Sequence, residues 1–171
     1  MKNLKTSLMY IANIIIGVLT YVFLSQSYLS FGGSIGEYGG NLDSINGYDI
    51  IGNYFDGNGT QVMMALSNLI VAILAGVLIV SSIYCMLVSF GVIKKSKAIK
   101  MFNFINIIVS LALVVFGAIS LFCTVGFAND HSASGDYVSA GYSTGWAVIV
   151  NFVIAVVALV TSYLGYRFSK K

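Results

Sequence analysis

Four long stretches of this chain contain no charged residue: 8–29, 62–93, 101–127 and 145–166. A helix rising 1.5 Å per residue needs about 20 predominantly apolar residues to cross a bilayer. In lipid, every backbone N–H and C=O must be bonded internally, and these runs are too long for the strands of a closed barrel. The sequence therefore predicts an all-α integral membrane protein, an antiparallel bundle of four transmembrane helices. The second span is long enough to tilt or to project beyond the membrane.

The charges fall into two sets. All nine Lys and Arg (2, 5, 94, 95, 97, 100, 167, 170 and 171) flank the inner ends predicted for these spans, and all six Asp and Glu (37, 43, 49, 56, 130 and 136) fall between the outer ends. Basic residues gather on the cytoplasmic side of membrane proteins. Both termini and the short loop 94–100 are thus expected inside, and loops 30–61 and 128–144 outside. Only 9% of the chain is charged, against about 25% in soluble domains. The basic runs are short and abut apolar helices without interleaved stacking aromatics, so nucleic acid is not an expected partner. Membrane lipid is, and the Asn-, Ile- and Lys-rich composition suggests a bacterial plasma membrane.

Lys2 and Lys5 before an apolar run resemble the start of a signal peptide. The run is long, however, and Ser25-Gln26-Ser27-Tyr28-Leu29-Ser30 makes a poor cleavage site, so a retained helix is expected. No lipidation motif is read at either end.

The inner loop leaves no room for a cytoplasmic domain, which places any recognition surface outside. Loop 30–61 is rich in glycine and carries Tyr38, Tyr48 and Tyr54, the candidate interaction residues of a small extracellular cap. Residues 48–55, between Asn46-Gly47 and Asn58-Gly59 as turns, read either as a short β-hairpin or as an irregular loop packed over the helix ends.

Chemistry is conspicuous by its exclusions. No ionisable Asp, Glu, Lys, Arg or His lies within a span, although such groups mark ion pathways and proton relays. Acid–base catalysis needs a titratable group beside the substrate, so no enzymatic activity, catalytic residue or cofactor is expected. Cys85 and Cys123 sit at opposite depths and cannot bridge within one chain; they read as small buried side chains. His131, with Asp130 and Asp136, falls short of the three or four fixed ligands of a zinc site, and no metal is expected. Asp56-Gly57-Asn58-Gly59-Thr60 looks like the middle of an EF-hand, but Tyr54 and Ala65 occupy the positions where calcium needs carboxylates. Asn58-Gly59-Thr60 matches a glycosylation sequon close to the second span, and no glycan is expected.

Polar residues inside the spans supply the packing candidates. Asn13 and Asn106 lie at matching depths near the inner face, Asn68 and Asn151 near the outer face. Either each pair hydrogen-bonds between helices, clamping the bundle at two levels, or the four act independently with water and headgroups. Ala72 with Gly76, Ser81 with Cys85 and Ser89, and Ala158 with Ser162 form small-residue ridges that permit close helix approach. The chain has no proline to break a helix for a transporter site.

In topology the chain resembles the tetraspan families, claudins and MARVEL proteins among them. The claudin first-loop pattern Trp…Gly-Leu-Trp…Cys…Cys has no counterpart here, so no residue role is carried over. The leading functional expectation is a non-enzymatic scaffold or accessory subunit that binds a membrane-protein partner, or itself, through the outer loops and packing ridges. A small homo-oligomeric pore is the alternative; the second span comes closest to the polar stripe a pore needs, but Leu69 to Val80 is apolar. A binder of lipid or a small hydrophobe is the third reading.

Overall fold

The computed structural model describes residues 2–35, 38–93, 98–134 and 138–170. The chain is mostly helical. Its elements run α1 (Lys2–Leu24), β1 (Ser27–Ile35), β2 (Tyr38–Asn46), α2 (Gly47–Asn53), α3 (Gly59–Ser89), α4 (Ala98–Asp130), β3 (Ala133–Ser134), β4 (Val138–Thr144) and α5 (Trp146–Lys170). The helices α1, α3, α4 and α5 are long and apolar enough to cross a membrane, over Leu4–Leu24, Gly59–Ser89, Ala98–Asp130 and Trp146–Ser169.

Two of the expected spans end early, each for a local reason. The first was expected to stay helical to Leu29 but stops at Leu24. The Ser25 and Gln26 amides close back on the carbonyls of Val22 and Phe23, the Ser25 hydroxyl caps the Val22 carbonyl at 2.7 Å, and residues 27–29 are already strand. The second stops at Ser89 rather than Ile93. Gly91 takes the left-handed conformation (φ 78°), its amide bonding the Val88 carbonyl and that of Val92 the Leu87 carbonyl. This is a Schellman stop, which needs a residue without a Cβ penalty.

The expected hairpin within residues 48–55 is corrected: residues 47–53 form α2. Asn46 is an N-cap, not a turn residue. Its side-chain oxygen accepts from the Tyr48 and Asp49 amides at 2.9 Å, and the Asp49 carboxylate returns to the Asn46 amide. This reciprocal box satisfies donors that a seven-residue helix would otherwise leave open. Asn46→Ala is expected to cost about 1 kcal/mol, read as faster amide exchange at residues 48 and 49 with the strands unaffected.

The extended structure lies instead in one antiparallel sheet drawn from the segments that join α1 to α3 and α4 to α5, ordered β2-β1-β4-β3. β1 is central. It pairs with β2 from Ser27↔Asn46 to Ile35↔Tyr38, with irregularities at Tyr28 and between Phe31 and Gly32, and with β4 from Leu29↔Thr144 to Ile35↔Val138.

The chain divides into two compact units: residues 1–21, 71–115 and 153–171 form the first, 22–70 and 116–152 the second. In the first unit, portions of the four long helices close a ring. Gly17 lies against Ile79 and Tyr21 bonds the Ala72 carbonyl (α1–α3); Tyr84 packs on Phe102 (α3–α4); Ser110 bonds Ser162 (α4–α5); Gly165 lies against Met9 and Tyr10 (α5–α1). The paired numbers rise on one helix as they fall on its neighbour, so adjacent helices are antiparallel. The second unit holds the sheet, α2 and the remaining helical segments around Leu24, Leu29, Ile50, Met64 and Val148, all buried.

Burial is reversed relative to a water-soluble protein. Val80 and Phe122 are 66% and 74% exposed, while Asn13 and Asn68 are fully buried. Apolar side chains line the outside of all four long helices, the arrangement that lipid favours and water penalises.

Candidate functional site

Several polar side chains of the first unit are buried and bonded to one another across helices. Asn13 on α1 donates from Nδ2 to Ser162 Oγ at 3.0 Å and accepts from the Thr161 hydroxyl, both on α5. Ser162 also contacts Ser110 Oγ on α4 at 2.8 Å. Asn106 on α4 accepts from the Ser81 hydroxyl of α3. Nearer the chain termini, Tyr10 donates to Asn103 Oδ1 at 2.6 Å, and Asn103 Nδ2 donates to Ser169 Oγ at 3.1 Å.

These contacts replace the expected Asn13–Asn106 pairing. Each asparagine binds hydroxyls, because a Ser or Thr on a neighbouring helix can both accept from a side-chain amide and donate to it. The same holds in the second unit: Ser120 donates to Asn68 Oδ1 at 2.7 Å, and Asn151 Nδ2 donates to Tyr28 OH at 2.6 Å. All four asparagines are thus buried and bonded between elements, though not to one another.

The element that gathers these groups is α4. Asn103, Asn106, Ser110, Leu113, Gly117, Ser120 and Thr124 recur at alternating steps of three and four and so share one helix face. Every one but Gly117 is buried. That spacing is visible in the sequence, yet a search confined to the second span for a polar stripe passes over it.

In the second unit an aromatic cluster joins the sheet to the end of α4. Phe127 stacks on His131 (centroids 4.1 Å) and meets Tyr142 of β4 at 5.4 Å and Tyr54, just beyond α2, at 5.9 Å; Phe31 of β1 meets Tyr142 at 5.1 Å. His131 Nδ1 lies 2.9 Å from the Phe127 carbonyl, so the ring is fixed by stacking and by its own helix. Among the described residues no group of three or more His, Cys, Asp or Glu gathers as a metal site; Asp136 lies outside the described residues. Burial, with Tyr142 adding to it, raises the pKa of the Tyr54 phenol. Burial likewise pushes Tyr28 above the usual tyrosine range, so its hydroxyl stays protonated at neutral pH.

Tyr48 and Tyr54 take different surroundings, and the Tyr38 side chain lies outside what the structure describes. Tyr38 opens β2, paired with Ile35. Tyr48 stands 43% exposed on α2, and Phe55, just beyond that helix, is 41% exposed. Tyr54 belongs to the aromatic cluster. Sequence reasoning missed Phe31 and Tyr142, because β1 and β4 are rich in Ser and Gly and lack the apolar alternation that announces a strand.

Of the small-residue ridges, Gly76 receives the Tyr21 hydroxyl, and outside the ridges Gly17 admits Ile79, both inside the first unit. Cys85, in that unit, and Cys123, in the second, are free thiols. No protein-family model matches this chain, and no curated protein matches it significantly.

Proposed function

We propose that the protein is a non-enzymatic multi-pass membrane protein that works as an accessory or scaffold subunit, with the sheet-bearing unit as its recognition surface. The observation that carries this reading is that the segments joining α1 to α3 and α4 to α5 are built into a single sheet, tied by a shared aromatic cluster to α4. Plain connectors between helices need no such construction. The ordered platform presents Tyr48 and Phe55, and aromatic side chains are enriched at protein interfaces.

Charge supports the orientation. Every Lys and Arg belongs to the first unit and every Asp and Glu to the second, a segregation that under the positive-inside preference supports an outward-facing sheet. The interior polar groups support packing over permeation: on α4, Asn103, Asn106, Ser110 and Ser120 are bonded to side chains of neighbouring helices and Thr124 to its own helix, and all five are buried, whereas an oligomeric pore would need them on the exterior of the chain.

Isolation from native membranes in mild detergent, followed by native mass measurement, tests the proposal. A stoichiometric membrane-protein partner, or a defined self-assembly, is expected. It should be lost in a Tyr48→Ser/Phe55→Ser double variant that keeps the wild-type thermal stability. A lone monomer at native abundance overturns the proposal.

A further inference from the structure

Two buried amide groups of the second unit have one end bonded and the other without a partner in the chain. Asn68 has its Oδ1 satisfied by Ser120, but its Nδ2 has none; Asn151 has its Nδ2 satisfied by Tyr28, but its Oδ1 has none. The two open groups are complementary, one a donor and the other an acceptor. Both residues are more than nine-tenths buried, Asn68 completely. A buried polar group without a hydrogen bond costs about 1–3 kcal/mol, so such groups are almost always satisfied.

The two residues also share a level. The position of a Cβ on Gly117 would lie 3.8 Å from the Phe152 Cα, so these residues face each other on α4 and α5. The helices are antiparallel. Ser120 lies three residues beyond Gly117, and Asn151 one residue beyond Phe152 in the same direction, which leaves them within about 3 Å along the axis. Ser120 in turn holds Asn68. Ala65, Ala147 and Gly117 occupy the same helix faces within one turn of these residues and contribute little side-chain volume.

We infer that a single ordered water molecule is bound here, accepting from Asn68 Nδ2 and donating to Asn151 Oδ1. Tyr28, whose oxygen has accepted from Asn151, has a proton to donate, which gives the water a third bond. Buried waters typically make about three hydrogen bonds to groups that are otherwise unsatisfied. The site joins α3, α5 and the first residues of β1, so the water links the sheet to the helices that carry it. The residues flagged in the sequence as a direct Asn68–Asn151 clamp thus act through an intermediary.

The test is water-selected magnetisation transfer by NMR on the full chain in lipid nanodiscs, with asparagine side-chain amides labelled. The Asn68 amide, assigned by its disappearance in Asn68→Leu, is expected to receive magnetisation from a long-lived water. Asn151→Leu removes the acceptor and should abolish that transfer, and Tyr28→Phe, which keeps the ring, should weaken it. If Asn151→Leu does not fold, the wild-type chain and Tyr28→Phe decide between them. Absence of transfer in the wild type, with a direct Overhauser contact from the Asn68 amide protons to Asn151 protons, overturns the water in favour of a direct bond. Transfer that is undiminished in the folded variants overturns the assigned site.

Discussion

Gly145→Ala is expected to dislodge β4 from β1 and to destabilise the sheet-bearing unit by about 3 kcal/mol or more, the upper range for overpacking a site that cannot relax. A Cβ at this position would overlap the backbone carbonyl of Ser27, with Tyr28 backbone atoms close behind. Backbone cannot rotate aside as a side-chain end can. The Gly145 amide also donates to the Tyr28 carbonyl at 2.7 Å, a contact the added carbon would force apart. Trp146, the only tryptophan, packs edge-on against Phe23 at 5.7 Å and reports on the same junction. Its emission should shift and its unfolding midpoint fall in the variant, while amide protection in the first unit is retained. Wild-type emission and melting would contradict the close approach of residues 27 and 145.

Ile50→Ala is expected to release α2. This helix has seven residues, and only Gly47 and Ile50 are buried. Isolated helices shorter than about 12 residues are marginal in water even with favourable sequences. Its capping box satisfies end groups but supplies no apolar burial, so Ile50, fully buried, is its anchor. Truncating such a side chain to alanine costs about 2–5 kcal/mol, which exceeds what the cap returns. Amide protection across residues 47–54 should collapse to that of an unstructured segment, and Tyr54 should leave Phe127. Ile50→Val should retain most of the protection, which separates loss of packing from loss of helix propensity.

The long helices were legible from the sequence because lipid imposes a simple demand: uninterrupted apolar length with the polar backbone satisfied internally. Their ends were less so. Nothing in the hydropathy of Tyr28 and Leu29 separates strand from helix, and the stop at Leu24 depends on Ser25 capping, a local hydrogen bond. Gly91 was readable as a helix stop, since glycine beyond a long apolar run is the usual sign. Asn46 misled because Asn-Gly is also a strong hairpin signal; Asp49, three residues on, was the clue to a cap. The four asparagines could be singled out from the sequence, but position along a span does not name a partner, and the hydroxyls that hold them are scattered over elements whose faces only packing can align.

The central position of β1 has a consequence for the order in which the molecule is made. Its pairing with β2 is available almost at once, since the two are neighbours in the chain, whereas β4 emerges roughly a hundred residues later, a delay of about 5–20 s at about 5–20 residues per second. Throughout that interval one side of a nine-residue strand has no permanent neighbour, and an open strand edge is a template for the wrong chain. Completion of the sheet is therefore a signal that α3 and α4, the two long helices between β1 and β4 in the chain, have been delivered in the correct topology. A chain released before residue 138 would carry three of its four long helices and still present an open edge, recognisable to quality-control machinery that samples exposed strands.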